Sequence, residues 1–279
     1  MVKAFLFKAF TDFKDQGNPA GIVLNEGLND KEMLKIANML QFSETTFIRK
    51  IDNFNYELRY FTPEVETNLC GHGTISAFKY INIKENIEGK VYMHTKSGKL
   101  NVIIDRDKIF MEGAKASIKD IDIDENILLE ALRITKKERD YSLPIKSASI
   151  GTPKIMIPVK NREALFNIKP KFDELKKISQ ITNTKGFYPF TFDTVNKENL
   201  VHTRQFNPLF GVNEDPITGV AAGALGSYLK KYWKNDLEKF TVEQGWIVDK
   251  KGIIQILIKG ESIYLGGNAV KFGETDIKI

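Results

Sequence analysis

Cysteine is all but missing from this sequence. Cys70 stands alone among 279 residues, which excludes an intrachain disulfide framework and any multi-cysteine metal site, and suits a reduced cytoplasm. Long apolar runs are missing as well. No stretch approaches the roughly 20 uninterrupted apolar residues that a membrane-spanning helix needs, so no membrane partner is expected. The short apolar run at the N-terminus is bracketed by Lys3 and Lys8, and Phe5, Phe7 and Phe10 give it the pattern of a strand, not of an export signal. Nor is there much excess charge. Forty-one Lys and Arg stand against 36 Asp and Glu, a formal +5, and the two signs are interleaved, leaving no basic patch for nucleic acid. That surplus suits a solvated surface first and the attraction of an anionic substrate second.

What is present is a globular balance, 42% hydrophobic and 28% charged, which supports packed cores. The length exceeds what one core usually serves and favours two lobes. Strands read at Val2–Phe10, at Ile22–Leu24 after the turn Gly17-Asn18-Pro19-Ala20-Gly21, and at Thr45–Ile51 and Tyr56–Phe61. Between them Asp30 reads as the N-cap of a helix with Met33, Leu34, Ile36, Ala37 and Leu40 at helical spacing. A second helix runs through Thr74, Ile75, Ala77, Phe78 and Ile81, and strands follow at Lys90–Thr95, Leu100–Asp105 and Lys108–Met111. Beyond Gly113 a new lobe begins: helices at Ile127–Leu132 and Phe172–Ile178, strands at Ser147–Ile150, Ile155–Val159, Gly186–Phe192 and Leu200–Phe206, then an apolar helix over Pro216–Tyr232. Strands at Phe240–Glu243, Gly252–Ile258 and Ser262–Gly266 close the series.

The chain also repeats itself. Arg59-Tyr60-Phe61-Thr62-Pro63 and Arg204-Gln205-Phe206-Asn207-Pro208 are both Arg-x-Phe-x-Pro, and Cys70 and Asp215 each fall seven residues beyond the proline, at the mouth of a small-residue helix. The second of these helices has no polar side in Gly219–Gly226, so a sheet is expected to wrap it. A helix mouth offers unpaired N–H groups and partial positive charge, which suits a carboxylate. Asp215 before Pro216 reads equally well as a plain N-cap with proline at the first helical position. Cys70 is a poor cap, which points to a cleft, although a lone cysteine is more often a small buried hydrophobe. His72, within Cys70-Gly71-His72-Gly73-Thr74, can exchange a proton near neutral pH. Strand alternation puts Glu44 on the face of Phe42 and Ile48, where apolar neighbours would raise its pKa; the alternative is an edge glutamate in water.

In this order, Gly17-Asn18-Pro19-Ala20-Gly21, Ser43-Glu44-Thr45, Phe61-Thr62-Pro63 leading to Glu66 and Leu69-Cys70-Gly71-His72-Gly73-Thr74, and Glu214-Asp215-Pro216-Ile217-Thr218-Gly219 resemble the PhzF-like family, relatives of the diaminopimelate epimerase fold. Glu243-Gln244-Gly245 and Gly266-Gly267 add to the likeness. The resemblance implies an α+β fold of two pseudo-repeated lobes, each a curved, mostly antiparallel sheet or barrel around a central helix, with the active site in the cleft between them. The lobes would be residues 1–116, joined by a final strand at about 269–279, and residues 117–268. It implies a cofactor-independent, metal-free isomerase acting on a small carboxylate, with Glu44 moving a proton between carbons and His72 and Asp215 completing the site. Asn18, Cys70, Gly71, Gly73, Thr218, Gly219 and Val220 would bind substrate. Relatives suggest a homodimer. An amino-acid epimerase, or a protein that binds an anionic metabolite without turning it over, are the alternatives. With Cys70 at one mouth and Asp215 at the other, two-thiol racemisation is disfavoured. The family usually has serine where this chain has Val220, which keeps the backbone N–H and loses a hydroxyl.

Overall fold

The computed structural model describes residues 1–211 and 213–279. In chain order come strands β1 (Val2–Ala9) and β2 (Asn18–Leu24), helix α1 (Asp30–Leu40), β3 (Thr45–Lys50), β4 (Asn55–Phe61), β5 (Glu66–Thr67), α2 (Gly71–Glu85), β6 (Gly89–Thr95), β7 (Gly98–Asp105) and β8 (Lys108–Glu112). Then follow β9 (Ser117–Lys119), α3 (Glu125–Leu132), β10 (Lys146–Ser149), β11 (Lys154–Pro158), α4 (Arg162–Phe166), α5 (Phe172–Ile181), β12 (Phe187–Thr191), β13 (Val201–Thr203), α6 (Gly219–Tyr232), β14 (Lys239–Gln244), β15 (Gly252–Lys259), β16 (Ser262–Gly267) and β17 (Ala269–Ile277). Two compact units result, Met1–Ala114 with Tyr264–Ile279, and Lys115–Ile263. The sequence reading puts the boundaries after residues 116 and 268; the units divide after 114 and 263, the second inside β16.

In the first unit β1 runs antiparallel to β2, β2 parallel to β3, β3 antiparallel to β4, β4 parallel to β6, and β6 antiparallel to β7. In the second, β10 is antiparallel to β11, β11 parallel to β12, β12 antiparallel to β13, β13 parallel to β14, and β14 antiparallel to β15. The same alternation of pairings occurs in the same order. The internal repeat is therefore a duplicated α+β unit and not a chance pattern. In the first unit β17 and β16 add at opposite ends of the row, on β1 and β8, although they are consecutive in the chain, so the sheet must curl.

Each sheet curls around one helix. Every residue of α2 from Gly71 to Ile81 is buried, against β1, β2, β3, β8 and β17. In α6 every residue from Gly219 to Gly226 is buried, against β9, β10, β11 and β15. Small residues make that approach possible: a Cβ on Gly226 would already lie 3.0 Å from Ile256. Amphipathic helices form an outer layer, with Met33, Ile36 and Ala37 of α1 packing on Val23 and Phe47, and α3, α4 and α5 covering Ile155, Ile157 and Phe187.

Four expectations shift. β2 begins at Asn18 and not at Ile22, because Asn18, Pro19, Ala20 and Gly21, read as a turn, pair with Ala9, Lys8, Phe7 and Leu6 of β1. The cap of α1 is Asn29, not Asp30, because the Asn29 side chain takes the N–H groups of Lys31 and Glu32 while Glu32 returns a bond to the Asn29 N–H, a capping box. α6 begins at Gly219, not Pro216, because the side chain of Gln244 accepts the Thr218 N–H and donates to the Asp215 carbonyl, holding that segment out of the helix. β13 stops at Thr203, leaving Phe206 with a single bridge to Phe187.

Candidate active site: two half-sites at the helix mouths

In the first unit Glu44 stands one residue before β3, so strand alternation does not place it. Its carbonyl accepts the Gly21 N–H of β2 at 3.3 Å, and its carboxylate Oε1 accepts from Thr67 Oγ1 at 2.9 Å, with the side chain nine-tenths buried. Beside it Ser43 Oγ lies 3.2 Å from His72 Nε2, and His72 Nδ1 lies 3.4 Å from Cys70 Sγ. Ser43, Glu44, Thr67, Cys70 and His72 are thus joined by the loop into β3 and the mouth of α2. Asn18 is buried at the start of β2, opposite Ala9, on the strand whose Gly21 holds Glu44.

Burial pulls the His72 imidazole down to about 4, so the ring is neutral at pH 7. Tyr60, fully buried, has its phenol pushed up by burial against a hydrogen bond of 2.6 Å shared with Thr74 Oγ1, and Cys70 and Glu44 push it further up. Cys70 is also a genuine cap: its Sγ accepts the Gly73 N–H at 3.3 Å. Gly71 and Gly73 line that first turn, and at Gly73 a Cβ would lie 2.4 Å from Thr46 Oγ1.

In the second unit Thr218, and not Asp215, is the residue before the helix, and it makes no side-chain cap. Its hydroxyl is turned back instead and donates to Asp215 Oδ2 at 2.5 Å. The first turn of α6, beginning Gly219-Val220, has no side chain bonded across it at the cap, unlike that of α2. Gln244 Nε2 donates to the Asp215 carbonyl at 2.9 Å, and Gln244 Oε1 accepts from Tyr188 Oη at 3.0 Å and from the Thr218 N–H at 3.2 Å. Next to it Glu243 accepts from His202 Nδ1 at 2.6 Å, Asn199 Nδ2 at 2.9 Å and the N–H groups of Val195 and Asn196. Burial opposes the charge on Glu243, and these donors outweigh it, holding the carboxyl below its ordinary range. The Glu-Gln-Gly motif therefore braces the α6 mouth.

The repeat itself needs a correction. Arg59 grips Glu66 with two bonds of 2.8 and 2.7 Å, and Arg204 grips Glu214 with two bonds of 2.8 Å. Each Arg also lies over the Phe of its own motif, at 5.2 and 4.9 Å. These forks show that Glu66 corresponds to Glu214, with three additional residues between proline and glutamate in the second unit. Cys70 then pairs with Thr218, and Asp215 with Thr67. The common segment is Glu-x-x-(Leu/Ile)-(Cys/Thr)-Gly, readable once a gap is allowed; a fixed offset from proline hides it.

Residues 7–275 match the family described as phenazine biosynthesis-like protein. A protein of Clostridium acetobutylicum, named an uncharacterized isomerase, is 38% identical over 282 residues, covering 94% of this chain and 93% of its own. A second so named, from Bacillus subtilis, is 38% identical over 258 residues, covering 90% and 88%. The crystal structure of a PhzF-family phenazine biosynthesis protein from Bacillus anthracis superposes with a TM-score of 0.90 at 29% identity, covering 100% of this chain and 99% of that one. A hydroxyproline epimerase from Agrobacterium vitis shares the fold, with a TM-score of 0.64 at 11% identity, covering 98% and 91%. With these matches over nearly its whole length, the chain belongs to the PhzF-like family of isomerases.

Proposed function

We propose that this isomerase moves a proton between two carbons of a small carboxylate metabolite, with Glu44 as the acid/base and no cofactor. The observation that carries the reading is the setting of Glu44: a nine-tenths buried carboxylate bonded to Thr67 and preceded by Ser43, which meets His72 and, through it, Cys70 at the α2 mouth. A carboxylate sheltered from water near a neutral imidazole is a competent proton carrier. The N–H groups around Gly71–Gly73 and those around Gly219–Val220, where Val220 retains its amide, each suit a substrate carboxylate. His72, neutral, orients substrate by hydrogen bonding, and Asp215 with Thr218 supplies the polar group of the second half-site.

The test is an NMR screen in D2O, offering small unsaturated acids and amino acids to the wild type and to Glu44→Gln. Deuterium entering carbon only with wild type supports the reading. Exchange that survives Glu44→Gln refutes Glu44 as the base, and inversion of a stereocentre with the double bonds left in place would make the enzyme an epimerase.

A further inference from the structure

Strand register shows which residues of the two units correspond. In the first unit the Gly21 N–H donates to the Glu44 carbonyl at 3.3 Å, and the following residue, Thr45, lies opposite Phe61. In the second the Ile155 N–H donates to the Gly186 carbonyl at 2.9 Å, and Phe187 lies opposite Phe206. Gly186 therefore occupies the position of Glu44. No side chain fits there: at φ +144°, a Cβ would lie 2.3 Å from Asn207 Oδ1 and 2.6 Å from Gln205 Nε2.

What fills that space is a polar cluster built on Lys154. Its ammonium, with the residue 4% exposed, donates to Asn207 Oδ1 at 2.8 Å and to the Lys185 carbonyl at 2.7 Å. Gln205 Nε2 donates to the same Asn207 oxygen at 2.6 Å, and the Gln205 carbonyl accepts the Asp215 N–H at 3.0 Å. Where the first unit buries a carboxylate, the second buries an amine. Burial of a cation is costly unless an anion offsets it. The charges acting on Lys154 are those of Asp215, which favours the protonated form, and Lys185, which opposes it. Burial is the strongest influence and brings the amine down to about 7, within reach of physiological titration.

We propose that Lys154 is a positioning residue of the second half-site: it pins the Asn207–Gln205 pair from which the Asp215 backbone hangs, and it supplies the buried positive charge that keeps the Asp215 carboxylate ionised. The effect on turnover rests on the role proposed above for Asp215; the coupling of the two charges does not.

The experiment is an NMR titration of protein labelled with 13Cε-lysine, in wild type, Asp215→Asn and, as a control, Asp236→Asn on an exposed turn. Loss of the resonance in Lys154→Met, or in Lys154→Arg should the first not fold, assigns it. Lys154 is expected to titrate near neutrality in wild type and about one pH unit lower in Asp215→Asn, unchanged by the control. A midpoint above about 10, or one that ignores Asp215→Asn, overturns the coupling. By reciprocity, Lys154→Met should raise the midpoint of the Asp215 carboxyl, read by 13Cγ-aspartate NMR, by about one pH unit, with Lys154→Arg restoring it. An Asp215 midpoint that Lys154→Met leaves in place overturns the positioning role. Wild type that exchanges nothing refutes the acid/base reading and leaves the titration result intact.

Discussion

Acid should loosen the first unit through His72. The imidazole falls from an ordinary 6.5 to about 4 through burial alone, a difference worth about 3 kcal/mol at roughly 1.4 kcal/mol per pH unit. Its contacts return little of this on protonation, since Ser43 Oγ at 3.2 Å can accept one N–H, whereas Cys70 Sγ already accepts from Gly73. The unfolded chain takes up the proton first as pH falls. The stabilisation is therefore complete above pH 6.5 and is lost progressively as pH drops toward 4. Urea unfolding at a series of pH values, in wild type and in His72→Gln, isolates it. Glutamine is neutral throughout and keeps an amide to meet Ser43. Other groups that weaken in acid, among them Glu66 and Glu243, whose carboxyls are held below their ordinary range, cancel in the comparison. Wild type should lose about 2–3 kcal/mol more than the variant between pH 7 and pH 4. Parallel curves for the two proteins would refute the assignment of a neutral, buried imidazole.

Further substitutions probe the same architecture. Gly73→Ala gains about 1 kcal/mol of helix propensity, but its Cβ meets Thr46 Oγ1 at 2.4 Å and the capping Cys70 Sγ at 3.2 Å. Overpacking of this kind costs about 1–3 kcal/mol, so a lowered Tm is expected, and a raised one would show that the turn can yield. Glu243→Gln keeps the shape and loses the charge that His202, Asn199 and the N–H groups of Val195 and Asn196 converge on. The loss should be about 2–3 kcal/mol by chemical denaturation. Arg204→Lys replaces a two-bond fork by a point charge and also releases the carbonyls of Leu165 and Ile168, so it should destabilise more than Arg59→Lys, which gives up Asp30 on the surface.

Local patterns carried most of the fold. The small, apolar residues of α6 announced burial on all sides, and the strands read from alternation fell within a residue or two of their ends, β2 and β13 excepted. What stayed hidden depends on contacts between distant residues. Gln244 moves the start of α6 by capturing Thr218 and Asp215, and nothing in residues 215–218 reveals that. The short strand β5 exists only because Tyr60 and Phe61 pair with it. His72 reads as a proton exchanger in any sequence window, and only its packing among Ser43, Cys70 and the surrounding sheet makes it neutral. Lys154 lies just outside the strand read from Ile155, and nothing local marks it, since the acceptors that hold it come from residues 185 and 207.

The corrected repeat sharpens what Thr67 does. It corresponds to Asp215, each the residue after a glutamate gripped by arginine, and the two halves use that position in opposite senses. Asp215 accepts a hydrogen bond from the helix cap Thr218, whereas Thr67 donates one to Glu44 Oε1 at 2.9 Å. A donor to a carboxylate favours its charged form. Thr67→Val keeps volume and branching and removes that donor, so ionised Glu44 should lose about 1.5–3 kcal/mol, the range for a hydrogen bond to a charged group. Divided by roughly 1.4 kcal/mol per pH unit, this moves the acid limb of wild-type deuterium exchange upward by about one to two pH units, while the rate well above it changes little. A limb that stays in place would mean that Glu44 does not set it; a uniform fall in rate at every pH would mean that Thr67 orients substrate instead of tuning the base.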